Sequence, residues 1–146
     1  MATIGEVSKQ FQLPISTLRY YDKEGLFPDL KRSGGQRQFS EKEMETLRVI
    51  DCLKQSGLEI KDIKHFIALC QGGQNTYQER LALLERQQQI MSQEIKKMKR
   101  AQDMLTFKCW YYQQALALGN ETDIQLANMP DSIQKAYQNA HQAVEN

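Results

Sequence analysis

Residues 16 to 20 read Ser-Thr-Leu-Arg-Tyr. Two hydroxyls, a guanidinium and a phenol therefore fall within about one and a half turns of helix. Hydroxyl and phenol groups hydrogen-bond phosphate oxygens, and arginine binds phosphate or a guanine edge. A second basic group follows at Lys31, Arg32 and Arg37, around the pair Gly34-Gly35. The net charge of the 146-residue chain is only +1, so bulk charge does not mark a polyanion binder. Position is more telling, because residues 1–38 hold six basic against four acidic side chains, with the loop cations clustered. Phosphate contacts would have to lie there. The plainer alternative is a solvated, charged surface.

Other chemistries find less support. Cys52, Cys70 and Cys109 form no CxxC or metal-ligand spacing, and His65 and His141 have no HxxH or CxxH companion. No metal and no cofactor are expected. An odd set of three cysteines suits a reducing cytoplasm better than a disulfide framework. Cys52 has no neighbouring histidine for a redox enzyme, and no Gly-rich loop supports nucleotide chemistry, so an enzyme is not expected. Hydrophobic residues at 40% and charged residues at 25% exclude a disordered or membrane-spanning chain. No apolar run follows a basic start, so no signal peptide is expected.

The elements that must position these groups follow from apolar spacing. Ile4, Val7 and Phe11 share a helical face, capped by Thr3 with Glu6 three residues on. After Leu13-Pro14, a second short helix carries Ile15, Leu18 and Tyr21 inward, with Asp22 pointing away from the core, and stops at Gly25. Two short helices joined by a tight turn make a helix-turn-helix, whose second helix enters the major groove. That leaves Ser16, Thr17, Arg19 and Tyr20 outside. Residues 26–39 read as a hairpin-like wing with Gly34-Gly35 at its tip. Ser40 and Glu43 cap a third helix along Met44, Leu47, Ile50 and Leu53. A fourth helix follows along Ile60, Ile63, Phe66 and Ile67, ending before Gly72-Gly73.

Then the pattern lengthens. Thr76 and Glu79 have capping-box spacing. Tyr77, Leu81, Leu84, Gln88, Met91, Ile95, Met98, Gln102, Leu105, Cys109, Tyr112 and Leu116 alternate steps of four and three. This 3.5-residue period predicts a coiled-coil helix on the order of 60 Å long, ending at Gly119. One helix cannot bury its own seam, and the simplest partner is a second copy, giving a two-fold homodimer. A short helix after Pro130, with Ile133, Tyr137, Ala140 and Val144 on one face, is expected to pack on a helix end or fray. The fold class is mainly α, in three parts. These are a winged helix-turn-helix over 1–73, a dimerising coiled-coil helix over 74–118, and a short C-terminal helical tail over 119–146.

The segments "TIGEVSKQF", "STLRYYDKEGLFP", "GGQRQFSEKEMETLRVI" and "LKQSGLEIKDIKHFI" occur in order over residues 3–70. Together they resemble the MerR family of bacterial transcription regulators, and the LRYYD-x-x-GL core is highly specific. The resemblance implies an antiparallel coiled-coil homodimer on a palindromic promoter operator. It also implies altered promoter geometry by DNA deformation, with bacterial RNA polymerase as a further partner. Carried onto this chain, the DNA contacts would be Ser16, Thr17, Arg19, Tyr20, Arg32 and Arg37. Two positions depart from the pattern: Phe39 stands where tyrosine is usual, and Glu59 where a helix-capping serine is common.

The resemblance also bears on the signal. Metal sensors of the family use a cysteine at the start of the long helix and a C-terminal cysteine loop. Here Thr76 and Tyr77 occupy the former region, and no cysteine follows Cys109. Multidrug sensors add a large domain, and the 27 residues after Gly119 are too few for one. Cys52 stands where the aldehyde- and thiol-stress branch carries its cysteine, which makes it the candidate sensor. Electrophile attack or oxidation there would add bulk at a packed joint. The alternative is a small buried hydrophobe. Trp110, Tyr111 and Tyr112 would pack the end of the coiled coil against the partner's DNA-binding domain, or line a ligand pocket. A coiled-coil adaptor that never touches DNA remains the rival to the regulator.

Overall fold

The computed structural model describes residues 1–142, and Val144 of the expected tail face lies outside them. The elements run α1 (Ile4–Phe11), α2 (Ile15–Lys23), β1 (Lys31–Ser33), β2 (Gln36–Gln38), α3 (Glu41–Gln55), α4 (Ile60–Gln71), α5 (Tyr77–Leu118) and α6 (Asp131–Ala140). A 3-10 turn, Gly73–Thr76, leads into α5, and another, Leu126–Asn128, precedes α6. The chain divides into two compact units, residues 1–89 and the residues from 90 on.

In the first unit, Thr3 and Glu6 close the α1 capping box, and Ser40 and Glu43 close that of α3. The expected apolar faces meet in one core: Val7, Leu18, Leu26, Leu47, Ile50 and Ile63 are fully buried, with Tyr21, Phe27, Met44, Leu53 and Ile67 nearly so. Each fully buried aliphatic side chain is worth about 1.5–3 kcal/mol over its exposed state. Glu59 supplies no side-chain cap to α4, as expected for a residue that replaces serine. Phe39 is buried edge-on against Phe27 at 5.5 Å, so the missing tyrosine hydroxyl leaves no unpaired group.

Three expectations need correction here. Ile15 is 37% exposed, because it precedes Leu18 by a full turn and lies beyond the core's edge. Thr76 does not cap α5. Its hydroxyl is instead shared between the carbonyls of Leu69 at 2.7 Å and Gly73 at 2.8 Å, to which it donates. Cys52 is exposed, neither a buried hydrophobe nor part of a packed joint, since the α3 core face runs through Ile50 and Leu53 on either side of it.

Helix α5 is one uninterrupted helix of 42 residues, closed at Gly119 with φ +81°. Its apolar seam is uncovered: Leu81, Ile95, Met98 and Leu105 are each more than half exposed.

In the second unit, α6 packs back on α5. Asn139 donates to the Asp103 carboxylate, the rings of Phe107 and Tyr137 meet at 4.7 Å, and Ile133 flanks Trp110. Residue numbers rise on α5 as they fall on α6, so the two helices are antiparallel. Trp110 is buried, 8% exposed, beside Ile133 of its own chain's tail, a neighbour that the sequence did not name. Tyr111 is half-buried and Tyr112 exposed. Among the described residues no helix is long and apolar enough to cross a membrane.

Asn139 and then Lys99 hold the buried Asp103 carboxyl below its ordinary value of 3.8, against the opposing effect of burial. A carboxyl depressed on folding stabilises above its unfolded value and loses that contribution as pH falls, so its effect on α6 docking is complete above about pH 4 and lost below it. Asp103→Ala should loosen α6 and red-shift the emission of Trp110, the single tryptophan, at neutral pH. Wild-type protein should show the shift only on acidification. An unchanged spectrum in Asp103→Ala would mean that apolar contact alone holds the tail.

Candidate nucleic-acid interface

Helix α2 is anchored from one side only. Leu18 and Tyr21 fix it to the core, and the opposite face carries Ser16, Arg19 and Tyr20 exposed, with Thr17 half-buried. Its N-terminus is open. Pro14 at the cap offers no side-chain acceptor, and the first turn holds no acidic residue. The N–H groups of Thr17 and Leu18 reach the Pro14 carbonyl, while those of Ile15 and Ser16 have no partner among the described residues. Both α1 and α3, by contrast, close their termini with capping boxes. Unpaired N–H groups at the positive end of a helix dipole form a ready site for a phosphate.

The wing is a two-stranded antiparallel hairpin in which Lys31 faces Gln38, Arg32 faces Arg37 and Ser33 faces Gln36. Its two-residue turn has φ +58° at Gly34 and +79° at Gly35, a geometry that admits few residues but glycine. Like charges directly opposite each other on a hairpin repel. Asp22 of α2 supplies the counter-charge. The Arg37 Nε donates to its carboxylate at 2.7 Å, and Arg32 approaches the same oxygen at 3.5 Å. Asp22 points away from the core, as its position in the helical period predicts, and meets the wing there. It binds the wing to α2.

The structure thus brings all six sequence-identified contact residues onto one region, in unequal states. Arg19 makes no ion pair among the described residues, and Arg32 keeps 55% of its side chain exposed. Arg37 keeps only 21% and is committed to Asp22. Sequence reasoning missed two further cations beside α2. Lys64 of α4 approaches Gly25, just past the end of α2, its Cε being 3.8 Å from where a Cβ would stand. Lys54 of α3 lies 5.9 Å over the Tyr21 ring. An acidic residue set inside a basic segment was the one signal that could have exposed the role of Asp22.

Candidate sensor Cys52 lies on α3, and Cys70 and Cys109 are likewise exposed. The groove between α5 and α6 is lined by Gln102, Leu105, Thr106, Cys109, Trp110 and Ile133, among others. Among the described residues no three His, Cys, Asp or Glu side chains converge as a metal site.

Comparison with known proteins agrees with this geometry. The model of the MerR HTH family regulatory protein matches residues 2–69, and that of the MerR DNA-binding region matches residues 44–106. An uncharacterised HTH-type transcriptional regulator of Haemophilus influenzae is 37% identical over 131 residues, covering 89% of this chain and 97% of the relative. The crystal structure of HiNmlR, a MerR family regulator lacking the sensor domain and bound to promoter DNA, is 37% identical with a TM-score of 0.68. It covers 84% of this chain and 98% of that one. EcmrR, solved with DNA by cryo-electron microscopy in the EcmrR-RPo complex, is 27% identical with a TM-score of 0.54. It covers 80% of this chain and 40% of EcmrR.

Removing the Asp22 carboxylate leaves two facing guanidinium groups without their counter-charge. Asp22→Ala should lower unfolding stability by about 1.5–3 kcal/mol, the range for a hydrogen bond to a charged group, as read from urea denaturation. Hydrogen exchange at the wing amides should rise at the same time. A loss under about 0.5 kcal/mol would mean that solvent already screens the pair.

Proposed function

The chain belongs to the MerR family of helix-turn-helix regulators, and on that premise we propose that it is a transcriptional regulator that binds a palindromic promoter operator as a homodimer. The carrying observation is the open, uncapped N-terminus of α2, with Ser16, Arg19 and Tyr20 exposed beside a wing pinned by Asp22. Helix α2 enters the major groove, where Arg19 reads a base edge or phosphate, and Ser16, Thr17 and Tyr20 bind the backbone. Arg32 reaches the phosphates flanking the groove. Arg37 acts mainly by holding the wing in place. Lys64, beside the end of α2, is placed for a further phosphate.

Functionally, residues 1–73 contact DNA, 74–118 dimerise, and 119–146 form the tail. The uncovered seam from Tyr77 to Leu116 supports a coiled-coil homodimer. Two recognition helices at fixed separation alter the geometry of the DNA between them, a deformation that RNA polymerase reads. The EcmrR complex supports polymerase as a partner. The relatives favour this reading over an adaptor or an enzyme, and a regulator of this kind works in the cytoplasm.

Arg19→Ala should weaken operator binding and, where a phosphate contact is lost, reduce the salt slope by about one. Where a base contact is lost, the cost is about 1–3 kcal/mol with relaxed sequence preference. Lys97→Ala, on the coiled-coil helix, should bind as wild type. Equal losses in titrations across salt concentrations would remove α2 from the DNA face.

For the signal, we assign electrophile attack to the Cys52 thiolate, on its exposure and its family position. Cys52→Ser should bind operator normally and lose the transcriptional response to aldehydes or diamide, while Cys70→Ser and Cys109→Ser respond as wild type. A reporter that still switches in Cys52→Ser would refute the assignment.

A further inference from the structure

Helix α5 carries a second stripe beside its seam. Arg80, Leu83 and Gln87 stand at positions i, i+3 and i+7 and share a face. All three engage the first unit of their own chain. Gln87 Nε2 donates to the Ser56 carbonyl at 2.7 Å, at the corner between α3 and α4. That corner turns at Gly57, φ +86°, where a Cβ would stand 3.2 Å from the same Gln87 nitrogen. Leu83 packs against the core formed by α1 to α4. Arg80 donates to the carbonyls of Leu69 and Gly73, each at 3.1 Å, and to the Thr76 hydroxyl at 2.9 Å. Its guanidinium lies 4.9 Å over the Tyr77 ring.

The seam residues Leu81, Leu84 and Gln88 each follow a stripe residue by one position, which places them about 100° around the helix. A rotation of α5 about its axis, driven from the seam, therefore moves the stripe with it. The two ends of the stripe differ in strength. Arg80 holds two carbonyls and a hydroxyl with a charged, multidentate group. Gln87 makes one neutral bond two turns further on.

Resting on the regulator reading, we propose that this stripe is the coupling track between dimer helix and recognition helix, with Arg80 as pivot and Gln87 as the point that yields. Gln87 is a positioning residue. It touches no DNA, and it acts through the Ser56 corner on the angle at which α2 is presented. A single neutral hydrogen bond is worth a factor of roughly two to ten in an equilibrium. That is enough to bias two nearly balanced arrangements and too little to unfold the unit.

The test uses the full chain and a duplex that the wild type selects from a random-sequence pool, labelled with 2-aminopurine between its half-sites. Gln87→Met keeps the length and removes the donor, and Gln87→Lys restores a donor long enough to reach the carbonyl. At saturating protein, Gln87→Met should change the central fluorescence by about two-fold or more while Kd stays within about three-fold, the scale of one neutral bond. Gln87→Lys should return the wild-type signal. Should Gln87→Met melt early, the near-isosteric Gln87→Glu, which has no donor when ionised, repeats the measurement. Identical central fluorescence in Gln87→Met and wild type would overturn the proposal. So would a signal loss that tracks Kd or melting temperature and is not rescued by Gln87→Lys. Failure of the wild type to select any duplex would instead overturn the regulator reading itself, and the coupling with it.

Discussion

Arg32 and Arg37 face each other across a hairpin of three residues per strand, and the interface depends on what neutralises them. Two guanidinium groups in that register repel, and a two-stranded ribbon this short is marginal in water even without such a pair. The Asp22 carboxylate, presented from α2, answers both problems at once. A second tie secures the other edge, where Ala2 and Phe39 exchange backbone hydrogen bonds at 2.8 and 2.9 Å while the Phe39 ring seats against Phe27. Recognition helix and wing consequently form one body. On the proposed reading, the distance between a groove contact from Arg19 and a phosphate contact from Arg32 is set by the fold and is not left to loop motion.

Helix α5 serves three masters with three faces. Its seam is apolar and uncovered, which a lone chain in water would not tolerate over so great a length. Its first three turns hold the α3–α4 corner and the end of α4 through Gln87 and Arg80. Further along, Asp103, Phe107 and Trp110 receive α6. No Pro or Gly falls between Tyr77 and Leu118 to break the helix.

Signals confined to a few residues were legible from sequence. The Thr3–Glu6 and Ser40–Glu43 boxes, the Gly34-Gly35 turn and the stops at Gly25, Gly57 and Gly119 all depend on spacing of five residues or fewer. So did the faces of Leu18 and Tyr21 and the seam of α5. The same local logic failed at Thr76, whose hydroxyl had tertiary acceptors in reach. It gave the outward direction of Asp22 but not its partner, which lies fifteen residues away on another element, a distance that helical periodicity does not encode. Ile15 met the period but not the core, because a period fixes direction around the helix axis and not where along that axis the neighbouring elements end. Cys52 was legible in principle: Ile50 and Leu53 mark the buried face, and a residue one step before Leu53 is turned about 100° from it. The tail helix was found, but its docking on Trp110 was not, since nothing in a ten-residue amphipathic segment names its receptor.

The charge economy of the interface bears on how such a protein selects its site. Several cations of the first unit are already engaged: Arg37 with Asp22, Lys42 with Asp29, and Arg48 with Glu41 and Glu45. Those with no ion pair among the described residues, on or beside the face, are Arg19, Lys23, Lys31, Lys54 and Lys64, while Arg32 shares Asp22 and stays 55% exposed. Sequence-independent attraction to DNA grows with the number of phosphates neutralised, so on the proposed reading these local cations, and not the chain's net charge of +1, set its size. Selectivity must then rest on fit, meaning both half-sites engaged at once by units whose contacts are held rigid by Asp22. A rigid two-point ruler discriminates by the energy needed to bend or twist the intervening DNA to its span, and that energy depends on sequences the protein never touches. On the proposed coupling, the same rigidity that limits binding to suitable operators lets a small rotation of α5 be felt as a change in DNA geometry.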